Sequence, residues 1–124
     1  MSLEWNVDYY VKESGESPVR DFILALPPKL RAKIIWEIDL LKRLGTSMKE
    51  PYAKSIKGEK YKGLWELRVQ RGSDISRVFY FLPIGNTFVL LHGFIKKGSK
   101  TLDKELALAM KNMNDYKRRR EKNG

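Results

Sequence analysis

GLWELRVQRGSDISRVFYFLPIGNTFVLLHGFIKK, residues 63–97, is the stretch that decides the fold. In LWELRVQ (64–70), Trp65, Leu67 and Val69 alternate with Glu66 and Arg68. That two-residue period belongs to a strand with one face turned to a core. RGSD (71–74) has the composition of a turn, and ISRVFYFL (75–82) is dense in aromatic and β-branched residues. Residues 83–86 read as a second turn and TFVLLHGFI (87–95) as a third strand. Three strands joined by short turns predict an antiparallel meander.

Upstream, EWNVDYYV (4–11) reads as another strand. Ser17-Pro18 then opens a helix, serine as N-cap and proline at the first helical position, with Val19, Phe22, Ile23 and Leu26 on one face. Pro27-Pro28 ends it and starts a second, in which Leu30, Ile34, Ile38, Leu41 and Leu44 recur at helical spacing before Gly45. Residues 46–63, polar and lysine-rich, read as a loop. A third helix is predicted from Thr101 to about residue 120. Thr101 is its N-cap, Asp103 and Glu105 complement its dipole, and Leu102, Leu106, Ala109, Met110 and Met113 form its apolar side. The basic residues 117–124 are read as a frayed tail. The fold class is thus α+β in a single domain, residues 1–124. Its element order is β-α-α-β-β-β-α: a twisted antiparallel sheet with a helical hairpin on one face and a C-terminal helix. Trp5, Trp36 and Trp65 are assigned to the core.

The chain carries a formal net charge of +10 and no cysteine. Residues 1–56 contribute +1 and residues 57–124 contribute +9. A cationic excess gathered in one half points to a polyanionic partner, nucleic acid or the ribosome. Without cysteine, disulfides and thiolate metal sites are excluded, and a cytoplasmic location is expected. No apolar run approaches the roughly 20 residues of a membrane span, so no membrane association is expected.

Alternation also defines the sheet face turned away from the helical hairpin. It carries Glu66 and Arg68 on the first meander strand and Arg77, in step with Phe79 and Phe81, on the second. On the third, His92 is in step with Leu90, Phe94 and Lys96, and Lys97 ends the strand. The reading is an open basic face holding Glu66, Arg68, Arg77, His92 and Lys96, with Lys97 at its rim. Lys60, Lys62, Arg71, Lys96 and Lys100 are the expected nucleic-acid contacts. Plainer roles exist for each: a half-buried histidine with one hydrogen bond, Arg68 paired with Glu66 or Asp74, and strand-end lysines. The sequence has no metal-ligand spacing, no glycine-rich phosphate loop and no Ser-His-Asp set; no cofactor is expected.

SPVRDFILALPPKLRAKI (17–34), GLWELRV (63–69), SRVFYF (76–81) and LLHGFIKKGSKTLDKELALA (90–109) occur in that order. Together they resemble the phage-derived, HigB-like branch of the RelE/ParE toxin superfamily, over residues 4 to 116. The resemblance implies a small basic toxin of a bacterial toxin–antitoxin pair that cuts messenger RNA on the ribosome. It also implies a cognate antitoxin with a helix-turn-helix domain. Carried over by position, the basic residues of the RelE-type face fall on Arg68, Arg77 and Lys96 or Lys97. A lysine of that pattern falls on Glu66, and the C-terminal tyrosine has no counterpart. His92 is the candidate for that gap, ahead of Tyr61, Tyr80 and Tyr116. Two other functions share the charge pattern: a ParE-like inhibitor of DNA gyrase, and a non-catalytic nucleic-acid-binding module.

For the nuclease, metal-free cleavage requires the 2′-OH to attack the adjacent phosphorus. Arg68 and Arg77 are assigned to the phosphorane charge, because a guanidinium fork spans two phosphate oxygens. Lys97 is assigned to phosphate, His92 to proton transfer as the side-chain type that titrates near neutrality, and Glu66 to orienting His92 or acting as base. On this reading Arg77→Ala abolishes toxicity with the fold intact.

Overall fold

The computed structural model describes residues 5–96 and 102–123, without the side chains of Asp74, Ile84 and Asn123. Among these residues the elements are β1 (Asn6–Tyr9), α1 (Pro18–Leu24), α2 (Pro28–Leu44), β2 (Ala53–Ser55), β3 (Trp65–Arg71), β4 (Asp74–Ile84), β5 (Thr87–Lys96) and α3 (Asp103–Asn123). Short 3-10 turns occupy Gly45–Ser47 and Glu59–Tyr61. The meander stands as predicted. Three features differ. The lysine-rich segment read as loop contributes the short edge strand β2. The helix read as ending near residue 120 continues through the basic run to Asn123. The sheet is mixed: its order is β1-β5-β4-β3-β2, and β1 pairs parallel to β5 through Asn6↔Thr87 to Tyr9↔Leu90. Alternation reports which face a residue takes, not which strand it neighbours. β1 has no tight turn to tie it to another strand, so its direction was not encoded locally.

The helix starts follow the prolines. Pro18 and Pro28 stand in the first turns, where a missing N–H costs nothing. Ser17 occupies the N-cap with extended backbone, but its hydroxyl donates to the Tyr10 carbonyl at 3.2 Å, tying α1 to the end of β1. Leu30, Ile34, Ile38 and Leu41 of α2 are buried with Val19 and Ile23 of α1 against Leu67, Val69, Val78, Tyr80, Phe88 and Leu90 of the sheet. Leu44 and Trp36, expected inside, are exposed: Trp36 lies on the outer side of α2, one residue off the buried stripe.

The other sheet face is covered as well. α3 lays Leu106, Ala109 and Met113 on Phe79, Phe81, Val89 and Leu91. At about 1.5–3 kcal/mol for each large apolar side chain buried, this second core accounts for a substantial share of folding free energy. The anticipated open face is therefore a helix–sheet interface, and polar residues on it must be paired or displaced to its margin. Asp115 locks the far end of α3. It accepts the Tyr10 hydroxyl at 2.5 Å and pairs with Arg118 and Arg119. Its carboxyl is held below the usual range, first by the Tyr10 hydrogen bond.

Two glycines set close approaches. A Cβ on Gly45, whose φ is +55°, would fall 2.0 Å from the Trp5 ring. A Cβ on Gly93 would lie 2.6 Å from Phe22, so this glycine lets α1 settle on β5. Gly93→Ala is expected to cost about 1–3 kcal/mol by overpacking, measured by urea unfolding. Gly85→Ala, with open space around it, should lose only the roughly 1 kcal/mol attached to its left-handed backbone.

Candidate nucleic-acid interface

The predicted cluster is only partly assembled. In the β3–β4 register Arg68 stands opposite Arg77, and Glu66 opposite Phe79. Arg77 and Glu66 are brought together: Arg77 Nη1 donates to Glu66 Oε1 at 2.5 Å, and both side chains are buried. Arg77 Nε is buried with no partner. The pair forms part of the floor of a cleft of about 740 Å³, whose lining includes Trp65, Leu102 and Leu106. Lys49, Lys54 and Lys57 stand on its walls together with Glu50. All three lysines are exposed, and none has an ion-pair partner among the described residues.

The other candidates go elsewhere. Arg68 lines a separate cleft against α2. Glu66, taken by Arg77, is not its partner. His92 is held by Glu105 of α3, Nε2 to Oε2 at 3.0 Å, and stacks on Phe94 with ring centres 5.9 Å apart. It borders a different cleft, with Tyr10, Lys111 and Asn112. The assignment of His92 to proton transfer beside Arg77, oriented by Glu66, is thus corrected: its carboxylate partner is Glu105, contributed by the helix that closes this face. Its phase is corrected too. A register shift between Phe79 and Tyr80 puts His92 opposite Phe79 and Leu90 opposite Tyr80, so His92 and Leu90 face opposite sides. Tyr80 is buried on the α2 side, and burial pushes its phenol far up; it is no candidate for the cleft. Tyr116 packs edge-on against Phe81, and Tyr61 is half-buried beneath Lys60.

Among the expected nucleic-acid contacts, Lys60 and Lys62 are exposed around the Glu59–Tyr61 turn, and Arg71 is exposed where β3 ends. Lys96 is half-buried opposite Ile75. Lys97 and Lys100 lie outside the described residues. Sequence reasoning missed Lys49, Lys54 and Lys57, which it left inside a loop; the lysine density of residues 46–63 was the available signal. It also placed Trp65 in the core, whereas this ring sits at the sheet margin, 37% exposed, facing the cleft.

The family model described as phage derived protein Gp49-like (DUF891) matches residues 21–114. The chain belongs to the phage-derived Gp49-like family. That family is associated with RelE-like toxins. The matched span contains every residue lining the 740 Å³ cleft of this Gp49-like chain. No curated protein matches the sequence. No helix among the described residues is long and apolar enough to cross a membrane.

The buried pair revises the expected effect of Arg77→Ala. Removing the guanidinium strands the Glu66 carboxylate, a loss of about 3–5 kcal/mol. Replacing both members, Glu66→Leu with Arg77→Met, should cost much less, and chemical denaturation of the three proteins separates the cases. A second buried carboxyl gives a pH signature. Burial pushes Glu37 from 4.5 up to about 7, against the opposing pull of Lys33. The folded state thus holds the proton that the unfolded chain releases near 4.5. Wild type loses stability as pH rises from about 4.5 to about 7, and Glu37→Gln does not. Unfolding curves should show the variant gaining about 1–3 kcal/mol on wild type between pH 5 and pH 8.

Proposed function

We propose that this Gp49-like chain is the toxin of a bacterial toxin–antitoxin pair, in the HigB-like branch, and cleaves messenger RNA on the ribosome. The observation that carries the reading is the cleft in which lysines, unpaired among the described residues, surround a buried guanidinium. Lys49, Lys54 and Lys57 supply sequence-independent attraction for successive phosphates. Arg77, held in place by Glu66, faces the charge that develops as the 2′-oxygen, its proton passing to water, attacks phosphorus and the P–O5′ bond breaks, leaving a 2′,3′-cyclic phosphate and a 5′-oxygen that takes a proton from water. A fixed guanidinium in a partly dehydrated cleft stabilises that charge without reorganising. Trp65 offers a flat surface for a base beside it. The ribosome supplies substrate alignment, an effect worth ~7–11 kcal/mol of barrier when complete, so the isolated site can be sparse in acid–base groups. The element order and the helical hairpin on one sheet face support a RelE-like topology. An acidic segment of the antitoxin, whose helix-turn-helix domain binds DNA, neutralises the cleft by covering its lysines.

The test is a bacterial translation reaction on a defined message, with and without ribosomes, read by primer extension. Wild type is expected to create new 5′ ends only with ribosomes. Lys54→Glu with Lys57→Glu should retain the fold, since both side chains are exposed, and reduce cleavage more than tenfold. An intact message together with inhibited gyrase supercoiling would replace this reading with the ParE-like one.

A further inference from the structure

A second cleft lies on the far side of segment 49–54. Lys49, Glu50, Ala53 and Lys54 border the large cleft, whereas Pro51 and Tyr52 border this one, with Lys33 and Glu37 of α2 and Arg68 and Gln70 of β3. Its volume is about 220 Å³. Glu37 is 2% exposed, and its Oε2 is buried with no hydrogen-bond partner. Arg68, half-buried, has no ion-pair partner among the described residues. Lys33 donates to the Gln70 carbonyl across the opening. Tyr52 is 46% exposed, and its backbone carbonyl accepts the Arg68 N–H at 2.8 Å, fixing the segment between the clefts.

A buried carboxyl without a partner keeps its proton until N–H donors brought from outside stabilise the ionised form. A cationic side chain suits this cleft poorly, because Lys33 and Arg68 already line it. A ligand that pairs N–H donors with a negative group at a short distance suits both requirements, and a nucleotide is such a ligand. We propose that this cleft reads a guanine base. Guanine presents two adjacent donors, N1–H and the N2 amino group, which match the two oxygens of one carboxylate. Adenine and cytosine each present one amino group beside an acceptor, and uracil sets its one N–H between two carbonyls. Glu37 releases its proton to solvent as the base enters and, as a carboxylate, accepts the guanine pair; Tyr52 stacks on the ring, and Arg68 takes the attached phosphate. The inference rests on the RNA reading and adds a base preference to it: a strand lying in the lysine-walled cleft passes over segment 49–54 and delivers a neighbouring base here.

The experiment titrates the labelled full chain with 5′-GMP, 5′-IMP, 5′-AMP and inorganic phosphate and follows backbone amide shifts by NMR. GMP is expected to shift Glu37, Tyr52, Arg68 and Gln70 and to bind at least tenfold more tightly than AMP. IMP, which lacks the N2 amino group, should fall between them. Glu37→Gln should erase the preference while leaving the phosphate response intact. Equal binding of GMP and AMP, shifts that phosphate alone reproduces, or an unchanged preference in Glu37→Gln would overturn the proposal. These outcomes are independent of the translation reaction: cleavage without guanine binding leaves the nuclease standing, and guanine binding without cleavage leaves this cleft standing.

Discussion

A sheet that is apolar on both faces needs two covers, and this requirement organises the molecule. The α1–α2 hairpin closes one face over Leu67, Val78 and Leu90, and α3 closes the other over Phe79, Phe81 and Leu91. Once both faces are closed, every charge carried inward by strand alternation meets low dielectric and requires a partner. Arg77 finds Glu66, and His92 finds Glu105 of the covering helix. What remains free is displaced to the β2 margin, where α3 begins and the sheet runs out. The cleft is located there for that reason.

The division between paired and unpaired charge separates buried from solvated electrostatics. Arg77 and Glu66 within the sheet are buried and paired with each other, so they act over a short distance with fixed geometry. Lys49, Lys54 and Lys57 are solvated point charges on flexible stems, effective at range and sensitive to salt. A polyanion meets the second group first and the first group only at contact. Glu37 belongs to neither: it is buried like the structural charges but lacks their partner, and this puts its carboxyl near neutrality.

Much of this arrangement was legible in the sequence. The β3–β5 meander followed from alternation and turn composition, the helix starts from Pro18 and Pro28, and the apolar side of α3 from Leu106, Ala109 and Met113. Its destination was not legible. A helical stripe says that something will be covered, not which face, and so the sheet surface predicted to be open is the one α3 closes. The register shift between Phe79 and Tyr80 was equally invisible. Nothing in VLLHGF marks where alternation breaks, and the break moves His92 relative to Leu90. The partners of Arg77 and His92 depend on pairings 11 and 13 residues away, beyond the reach of local pattern. The short strand β2 was hidden because three residues with a polar exterior resemble loop.

The lysine-rich segment 46–63 has the further consequence of joining the two clefts. β2 is held by β3 on one side only, so segment 49–54 forms a narrow wall: Ala53, packed into the core, anchors it, and Pro51 and Tyr52 turn one way while Lys54 turns the other. Affinity for a backbone and discrimination among bases place opposite demands on side chains. The first needs exposed, mobile cations, and the second needs buried groups whose hydrogen-bonding capacity is unmet until the correct base arrives. On the proposed reading a thin edge strand meets both demands within a few residues, because its two sides face a solvated lysine wall and a cleft lined by Glu37. On the proposed reading, the same edge that ends the sheet supplies the length over which a strand of RNA would be first gripped and then read.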